Sequence, residues 1–489
     1  MDFTNIYPTD LTLILNDGTI TITTNVHKDI LCYVCEYFRV LLTKFSESQS
    51  DIINILVYNS NVCYDVIMSF YGKRTNHGNY PKNQHTLLLY KCRDFFGLDL
   101  TTDLPQLIDL EKLNNLKITS EDYDLFLDVV DIIGYNEETI TMLLNNLPAD
   151  FDLSVIPDDL LLEMVNLCDS YYIFSSSSGN IVKKWDSHTG ELLYDNLLKI
   201  DDDILPKLDG CDNIMSYNEK RRQIAVTIYD IDAINITNVD TGENIQKLHH
   251  ENVRNVCYSP CGNYLISVGG SINYKNSDIN GLVKIWNLLT NEFKSIRTNE
   301  ILSNIYFSSC GQKFATKSNK IYICDIFTGE FMTTSKSNND NECINNLCYK
   351  PDHHFDFIFE ENIPIFSVCV SPDNSYIAST STKTIKIYNR VTHEIIKILS
   401  LHNHDIYASC FSPDSQHIIT GGGHLWLRDN DENSIKITDI KTGSIIHNLS
   451  GHNNNNVYCI LTVPKFTQCV INKIKQYYNS RNIYTCIPI

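Results

Sequence analysis

At 489 residues and 43% hydrophobic content, the chain is long and apolar enough to form more than one globular domain. No run of about 18 apolar residues occurs and no signal-peptide pattern opens the chain, so we expect neither a membrane span nor secretion. The formal net charge is −20 and no cluster of Lys and Arg stands out, which argues against nucleic acid as a partner.

The first hundred residues predict an α+β domain. Residues 10–15 and 19–26 alternate in polarity around an Asp-Gly turn, as in a β-hairpin. From His27 onward apolar residues recur at helical spacing, a strand-like segment follows at 52–57, and two further helical patterns cover 62–73 and 86–98. A hairpin, a helix, a strand and then helices are typical of an α+β fold.

This order of elements resembles a BTB/POZ domain over about residues 9–100. The residues that carry the resemblance are Asp10-Leu11-Thr12-Leu13, His27-Lys28 with Leu31, Tyr37-Phe38-Arg39 and Phe70-Tyr71-Gly72. We therefore predict that residues 1–100 form a BTB/POZ domain.

The resemblance implies two interaction sites. Members of this family bind cullin-3 scaffolds partly through an exposed hydrophobic-x-Glu segment, and Phe45, Ser46 and Glu47 occupy that place. An exposed aromatic residue suits a partner's pocket, and the alternative is that Phe45 closes the core of the domain. The family also dimerises, and Asp10 and Lys28 match its dimer pocket, with a structural polar pair as the alternative. Only nine residues precede Asp10, which is short for the swapped dimers of this family.

Cys32 and Cys35 form a CxxC motif inside a helical pattern. A structural zinc site needs about four ligands, and no second pair stands at zinc spacing, so we interpret both as core residues and predict no metal. The chain has seventeen cysteines, scattered without a small-domain framework. This usage suits a reducing compartment, so we expect the protein in the cytoplasm or the nucleus.

Residues 101–170 predict an acidic helical segment, with 16 acidic and 2 basic side chains. Thr119 to Asp122 predicts a capping box, and the helix after it carries acidic side chains on one face: Glu121, Asp124, Asp128 and Asp131. We expect this face to be solvated, with docking of a basic partner as the alternative. A second helix follows Pro157 at 158–167. By position and pattern, the segment resembles the BACK region of BTB proteins.

From residue 171 a short pattern recurs six times. Each copy has alternating β-branched or aromatic residues, Asp or Asn, two spacers, Thr and a turn former; the Asp or Asn positions are Asp186, Asn238, Asn287, Asp325, Asn389 and Asp439. A strand–turn–strand pattern recurs four times, at 256–270, 305–318, 368–381 and 410–423. Together the two patterns predict four-stranded antiparallel meanders, each of which forms one propeller blade.

These patterns resemble WD repeats, which implies an all-β propeller over residues 171–489. Strand patterns at 457–463, 468–475 and 482–489 predict closure by the chain ends, giving seven blades with six as the alternative. Residues 338–362 are predicted to be an insertion. The structural positions implied by the family are Trp185, Asp186, Trp286, Asp325, Asp439 and His452.

Tryptophan stands at the repeat turn only at Trp185 and Trp286, so we expect the hydrogen-bonded network of WD repeats to be mostly absent. His402 and His404 precede a strand, as a structural histidine does in WD repeats. For them we predict core hydrogen bonding rather than a metal.

No catalytic or cofactor-binding motif stands in a convincing context, so we predict neither enzyme activity nor a cofactor. The whole architecture resembles the BTB and WD-repeat proteins of giant DNA viruses of amoebae, which places the protein in a host cell. It implies a substrate-recognition subunit of a cullin-3-type RING ubiquitin ligase, whose propeller binds an unknown target protein. The alternative is a scaffold that forms a homodimer through its BTB domain and presents the propeller multivalently.

Overall fold

A computed structural model describes residues 8–45, 50–98, 118–177, 181–197, 214–228, 232–273, 278–308, 311–317, 321–333, 348–349, 355–357, 365–423, 434–452 and 456–480. The chain divides into two compact units. The first comprises Met1–Cys168 and Gln468–Ile489, and the second comprises Asp169–Thr467.

The first unit begins with a three-stranded sheet in the order β2-β1-β3, built from β1 (Leu11–Asn16), β2 (Thr21–Val26) and β3 (Ile52–Leu56). β1 and β2 form the predicted antiparallel hairpin, and β3 pairs with β1 in parallel. In the hairpin turn, Asp17 Oδ1 accepts a hydrogen bond from Ile20 N at 2.7 Å. Alternate residues of β1 are buried, which places one face of the sheet in the core.

Four helices share this core: α1 (Lys28–Val34), α2 (Glu36–Lys44), α3 (Ser60–Ser69) and α4 (Lys82–Phe95). The helical pattern after His27 is divided between α1 and α2, because Cys35 adopts an extended backbone (φ −133°, ψ 119°) that ends α1. Cys35 is buried at this break, whereas Val34 is 40% exposed.

Four more helices belong to the described part of the first unit: α5 (Tyr123–Ile133), α6 (Glu137–Asn145), α7 (Asp158–Cys168) and α8 (Gln468–Ser480). The prediction that residues 468–475 form a propeller strand is wrong. They form α8, which packs against α7 and buries Ile471 and Ile474, three residues apart on one helical face. The predicted strand at 482–489 lies outside the described residues.

The predicted capping box at Thr119 is also wrong. Thr119 Oγ1 donates to the carboxylate of Asp122 at 3.0 Å, and the N-cap of α5 makes no side-chain hydrogen bond to the backbone. A capping box instead opens α6, where Asn136 Oδ1 accepts from Thr139 N at 3.0 Å and Thr139 Oγ1 accepts from Asn136 N at 2.9 Å. The acidic face of α5 is exposed, and one member, Asp128, forms an ion pair with Lys91 of α4.

The described part of the second unit contains six four-stranded antiparallel sheets, which we number as blades 1 to 6. Blade 1 contains β29 (Val457–Pro464), β4 (Tyr171–Ser177), β5 (Ile181–Asp186) and β6 (Leu192–Tyr194). Blade 2 contains β7 (Met215–Asn218), β8 (Gln223–Ile228), β9 (Ala233–Asn238) and β10 (Asn244–His249). Blade 3 contains β11 (Val253–Tyr258), β12 (Tyr264–Asn273), β13 (Asp278–Asn287) and β14 (Glu292–Thr298).

Blade 4 contains β15 (Ser303–Phe307), β16 (Lys313–Lys317), β17 (Ile321–Asp325) and β18 (Phe331–Thr333). Blade 5 contains β21 (Ser367–Val370), β22 (Tyr376–Thr380), β23 (Thr384–Asn389) and β24 (Ile395–Ser400). Blade 6 contains β25 (Asp405–Phe411), β26 (His417–Gly423), β27 (Ile435–Asp439) and β28 (Ile445–Leu449). The meander that the repeats predict is therefore confirmed.

Blade 1 closes the propeller, because its strand β29 comes from the end of this unit and pairs antiparallel with β4 from the start. A two-stranded sheet of β19 (Cys348–Tyr349) and β20 (Phe355–Phe357) lies within the predicted insertion, and β19 contacts β21. The described residues thus contain six complete blades and this short sheet. The first strands of neighbouring blades, including β25 and β29, lie side by side around the propeller axis.

Candidate interaction sites

Phe45 follows the last residue of α2 and has an extended backbone (φ −109°, ψ 170°). Its side chain is 56% exposed, so it does not close the core of the first unit. Ser46 and Glu47, the other two residues of the predicted cullin-binding segment, lie outside the described residues.

Phe45 lies at an open cleft of about 560 Å³ between α2 and the end of α4. The lining residues are mostly apolar or aromatic: Tyr37, Val40, Leu41, Phe45, Phe95, Phe96 and Gly97, with Glu36 and Asp94. Tyr37 packs on Phe95, the last residue of α4, and on Phe96 directly after it, with ring centroids 5.7 Å and 5.6 Å away. The sequence gives no signal for this cleft, because its two walls lie about fifty residues apart in the chain.

Asp10 and Lys28 are brought together, but not as an ion pair. Asp10 Oδ1 accepts a hydrogen bond from Lys28 N at 2.8 Å, which pairs one of the free N–H groups at the start of α1. The Lys28 ammonium instead lies 3.4 Å from Asp51 Oδ1. Their role in a dimer pocket stays a prediction.

Cys35 is buried in the core of the first unit, and Cys32 packs against this core partly buried. The thiol of Cys35 donates to Phe96 O at 3.4 Å, and burial raises the pKa of both cysteines, which keeps them protonated at neutral pH. The cysteines whose side chains the structure describes are free thiols. Among the described residues, no group of three or more His, Cys, Asp or Glu side chains is arranged to hold a metal ion.

A buried carboxylate in α3 was not predicted from the sequence. Asp65 accepts hydrogen bonds from His77 N at 3.0 Å, from Thr75 Oγ1 and from His85, whose Nε2 lies 3.0 Å away. Burial raises the pKa of this carboxyl, but the hydrogen bonds outweigh burial and leave the pKa below its usual value. The ionised group holds the loop between α3 and α4, which is a structural role.

The repeat turns of the second unit share one geometry. In all six, the Asp or Asn side chain accepts a hydrogen bond from the backbone N–H three residues later, at 2.5–3.3 Å: Asp186, Asn238, Asn287, Asp325, Asn389 and Asp439. The residue after the Thr has a positive φ, which glycine supplies in four turns and Asn291 and His393 supply in the other two.

Blade 1 contains a buried chain of hydrogen bonds across two sheet strands and a loop. Trp185 Nε1 donates to Ser175 Oγ at 2.8 Å, and Ser175 Oγ lies 2.7 Å from His452 Nε2. Because an indole N–H only donates, the serine hydroxyl is free to donate its own proton to the imidazole. Burial lowers the pKa of His452 to about 4, so the imidazole is neutral and accepts.

Blade 3 has the same chain, so both described repeat turns that carry a tryptophan have it. For the other blades, the expectation that the network is mostly absent stays a prediction. Trp286 Nε1 donates to Ser267 Oγ at 2.9 Å, and His250 Nδ1 lies 2.6 Å from the same oxygen. Burial lowers the pKa of His250 to about 3. His250 was not predicted from the sequence, although it stands three residues before β11, as His402 does before β25.

In the part of the chain that the structure describes, no helix is long and apolar enough to cross a membrane. Residues 3–104 match the family model of the BTB/POZ domain. Residues 242–287, 358–389 and 393–437 match the model of the WD domain, G-beta repeat. The resemblances predicted from the residues are therefore confirmed.

Three known proteins with similar sequences come from Acanthamoeba polyphaga mimivirus. One BTB/POZ domain and WD-repeat protein is 29% identical over 91% of this chain and 93% of its own length. A second protein of that description is 28% identical over 78% of this chain and 64% of its own length. A BTB/POZ domain-containing protein is 37% identical, but over only 34% of this chain and 22% of its own length.

Proposed function

We propose, because this chain joins a BTB/POZ domain to a WD-repeat propeller, that it is an adaptor that brings a target protein to a cullin-3-type RING ubiquitin ligase. Both kinds of domain are protein-interaction modules. In this proposal the BTB domain binds the cullin scaffold and the propeller binds the target. The chain adds no chemistry of its own and accelerates transfer by holding a target lysine near the ubiquitin-carrying enzyme.

The exposure of Phe45 is the observation that supports this proposal most directly. Phe45 is 56% exposed at the end of α2, beside an open apolar cleft. A partner that covers this side chain removes apolar surface from water, which stabilises the complex. The sequence places the acidic Glu47 two residues later, as in the hydrophobic-x-Glu segment of cullin-binding BTB domains.

The charges around the cleft indicate which partner segment it favours. Glu36 and Asp94 are the charged residues among those that line it. A partner segment that presents an apolar side chain next to Lys or Arg complements this rim, and electrostatic complementarity of this kind mainly raises the association rate.

The test is binding of the full chain to the N-terminal domain of a host cullin-3, measured by biolayer interferometry. We expect Phe45→Ala to weaken binding at least about tenfold, because loss of a central aromatic anchor costs about 2 kcal/mol or more and about 1.4 kcal/mol corresponds to tenfold. Phe327→Ala is the matched control, since Phe327 is an exposed phenylalanine of the propeller. It should bind as the unchanged protein does.

No binding by the folded, unchanged chain would overturn the ligase proposal. If the protein then self-associates as its concentration rises, measured by sedimentation velocity, the scaffold alternative replaces it. Equal losses in the Phe45 and Phe327 variants would show that the interaction is not made at the cleft.

A further inference from the structure

The innermost strands of several blades have an irregular register near their start. In β25 the register shifts between Ile406 and Ala408, and in β29 it shifts between Val457 and Cys459. The extra residue in each case is a tyrosine, Tyr407 or Tyr458. A bulge of this kind re-aims a side chain and is common beside functional sites.

Tyr407 lies between Tyr458 and Phe366, and Phe366 directly precedes the innermost strand of blade 5. The ring centroids of Phe366 and Tyr407 are 5.1 Å apart, and those of Tyr407 and Tyr458 are 5.6 Å apart. Three aromatic rings from blades 5, 6 and 1 therefore form a continuous arc, and each ring is only partly buried. At the bulge positions of blades 3 and 4 stand Arg254 and Asn304, so neither of these two described bulges carries an aromatic ring.

Two residues with hydrogen-bond acceptors, Asp405 and Asn456, contact the tyrosines of this arc. Asp405, which begins β25, accepts a hydrogen bond from the Tyr407 hydroxyl at 3.4 Å and is partly exposed. Asn456 lies just before β29 and donates from Nδ2 to the Tyr458 hydroxyl at 3.2 Å. Asn456 is only 7% exposed, yet its carbonyl oxygen Oδ1 has no hydrogen-bond partner among the described residues. A buried acceptor without a donor is unfavourable until a donor reaches it.

We propose that Phe366, Tyr407, Tyr458, Asp405 and Asn456 bind the cation of a Lys or Arg side chain from a partner polypeptide. The faces of aromatic rings attract cations, the carboxylate of Asp405 adds a full negative charge, and ammonium and guanidinium groups carry the N–H donors that Asn456 Oδ1 lacks. The carboxylate of Asp405 would repel an anion. An apolar group would leave Asn456 Oδ1 without a hydrogen-bond donor.

The geometry favours a polypeptide as the source of this cation. The arc spans three neighbouring blades, so it can also contact the residues on both sides of the Lys or Arg. The inference goes beyond the cullin interaction, since it concerns the propeller alone. It gives the target a stated chemistry, which is an accessible basic side chain.

The test uses the full chain and four acetylated, amidated tripeptides with Gly on both sides of Arg, Lys, citrulline or norleucine. Binding is measured by saturation-transfer difference NMR. We expect the Arg and Lys peptides to bind and the neutral citrulline and norleucine peptides to give no signal. Guanidinium and methylammonium chloride serve as free cations of the same chemistry.

Two variants connect the binding to this site. Asp405→Asn keeps the shape of the side chain and should weaken the Arg and Lys peptides at least about fivefold. Tyr407→Leu should do the same, provided that tryptophan fluorescence shows a folded propeller. Phe327→Leu, which changes an aromatic residue of a repeat turn, should leave binding unchanged.

Equal binding of the citrulline or norleucine peptide would overturn the proposal, because the site would not be recognising charge. Unchanged binding in the Asp405→Asn variant would overturn it as well. If the free cations bind as tightly as the peptides, the site takes small amines and the polypeptide assignment is wrong. None of these outcomes depends on whether cullin-3 binds the BTB domain.

Discussion

Blade 3 and blade 6 each bury a histidine in the loop that enters the blade, but they differ in what supports it. In blade 3, His250 is joined through Ser267 to the indole of Trp286. In blade 6, His402 Nε2 lies 2.9 Å from Thr420 Oγ1. Thr438 takes the place of the tryptophan there, and in the described structure its buried hydroxyl has no partner.

The two blades anchor the loop itself in the same way. Lys284 in blade 3 donates to His249 O at 2.7 Å, and Lys436 in blade 6 donates to Leu401 O at 2.6 Å. Both lysines stand three residues before the Asn or Asp of the repeat turn. The tryptophan is therefore the main difference, and comparing the two blades isolates the contribution of the indole to stability.

The largest expected effect is one that the two blades share. Burial lowers the pKa of His250 and of His402 to about 3 and that of His452 to about 4, against a usual value near 6.5. The unfolded chain therefore binds more protons than the folded chain below pH 6.5, and stability falls as the pH drops from there toward 4. Between pH 7.5 and 5 the loss is about 2 kcal/mol for each imidazole.

Urea unfolding at several pH values measures this loss. All three tryptophans of the chain lie after residue 171, so tryptophan fluorescence follows the second unit. Most carboxylates titrate below this window, which leaves the imidazoles as the main cause. A free energy of unfolding that stays constant from pH 7.5 to 5 would contradict the neutral, buried state of these histidines.

The next effect tests the difference between the blades. Trp286→Ala should destabilise the second unit by about 3–5 kcal/mol, because it removes a large buried side chain and leaves Ser267 without its donor. Thr438→Ala, at the matching position of blade 6, removes only a small side chain whose hydroxyl is unpaired. Chemical unfolding at pH 7.5 should therefore separate the two variants clearly, and similar losses would contradict the comparison.

A smaller effect concerns the hydroxyl in the middle of each chain. Ser267→Ala leaves both Trp286 Nε1 and His250 Nδ1 unpaired, for a loss of about 2–3 kcal/mol, since each unpaired buried group is costly. Thr420→Val leaves only His402 unpaired, so we expect about 1 kcal/mol. If thermal unfolding ranks the two variants in the opposite order, the tryptophan does not extend the network of blade 3.

The smallest effect has the opposite sign. Thr438→Val replaces an unpaired, buried hydroxyl with a methyl group of similar size on a β-strand, and should stabilise the second unit by up to about 1 kcal/mol. Thr420→Val is the control, because that hydroxyl is paired with His402. A loss of stability in the Thr438 variant would show that its hydroxyl has a partner in solution.

Much of the fold followed from the sequence because its causes are local. The Asp17 turn and the six repeat turns each depend on a side chain that accepts a hydrogen bond from a backbone N–H within three residues. The strands could be predicted from the alternation of apolar and polar residues. The error at 468–475 has an equally physical cause. A short, partly apolar segment fits both a strand and an amphipathic helix, and only its packing against α7 selects the helix.

The candidate sites could be predicted only in part. Phe45 was singled out by its place in the chain, but its exposure and the cleft beside it depend on how α2 meets α4. The cation site was not predicted at all. Its three aromatic rings come from segments about forty to fifty residues apart. Two of the rings belong to residues in β-bulges, which no local sequence pattern predicts.

The order of the domains, the meander of each blade and the chemistry of its turns could be inferred from the residues, because each is marked by patterns between residues a few positions apart. Which buried groups meet depends on how distant segments pack after folding. Ser175 and His452 are 277 residues apart and form one hydrogen-bond chain only when β29 closes blade 1. Lys397 of blade 5 donates to Lys441 O in the turn of blade 6 at 2.7 Å, a contact that exists only between packed blades. Interactions of this kind leave no periodic signal in the chain, since they depend on the distance between elements after folding.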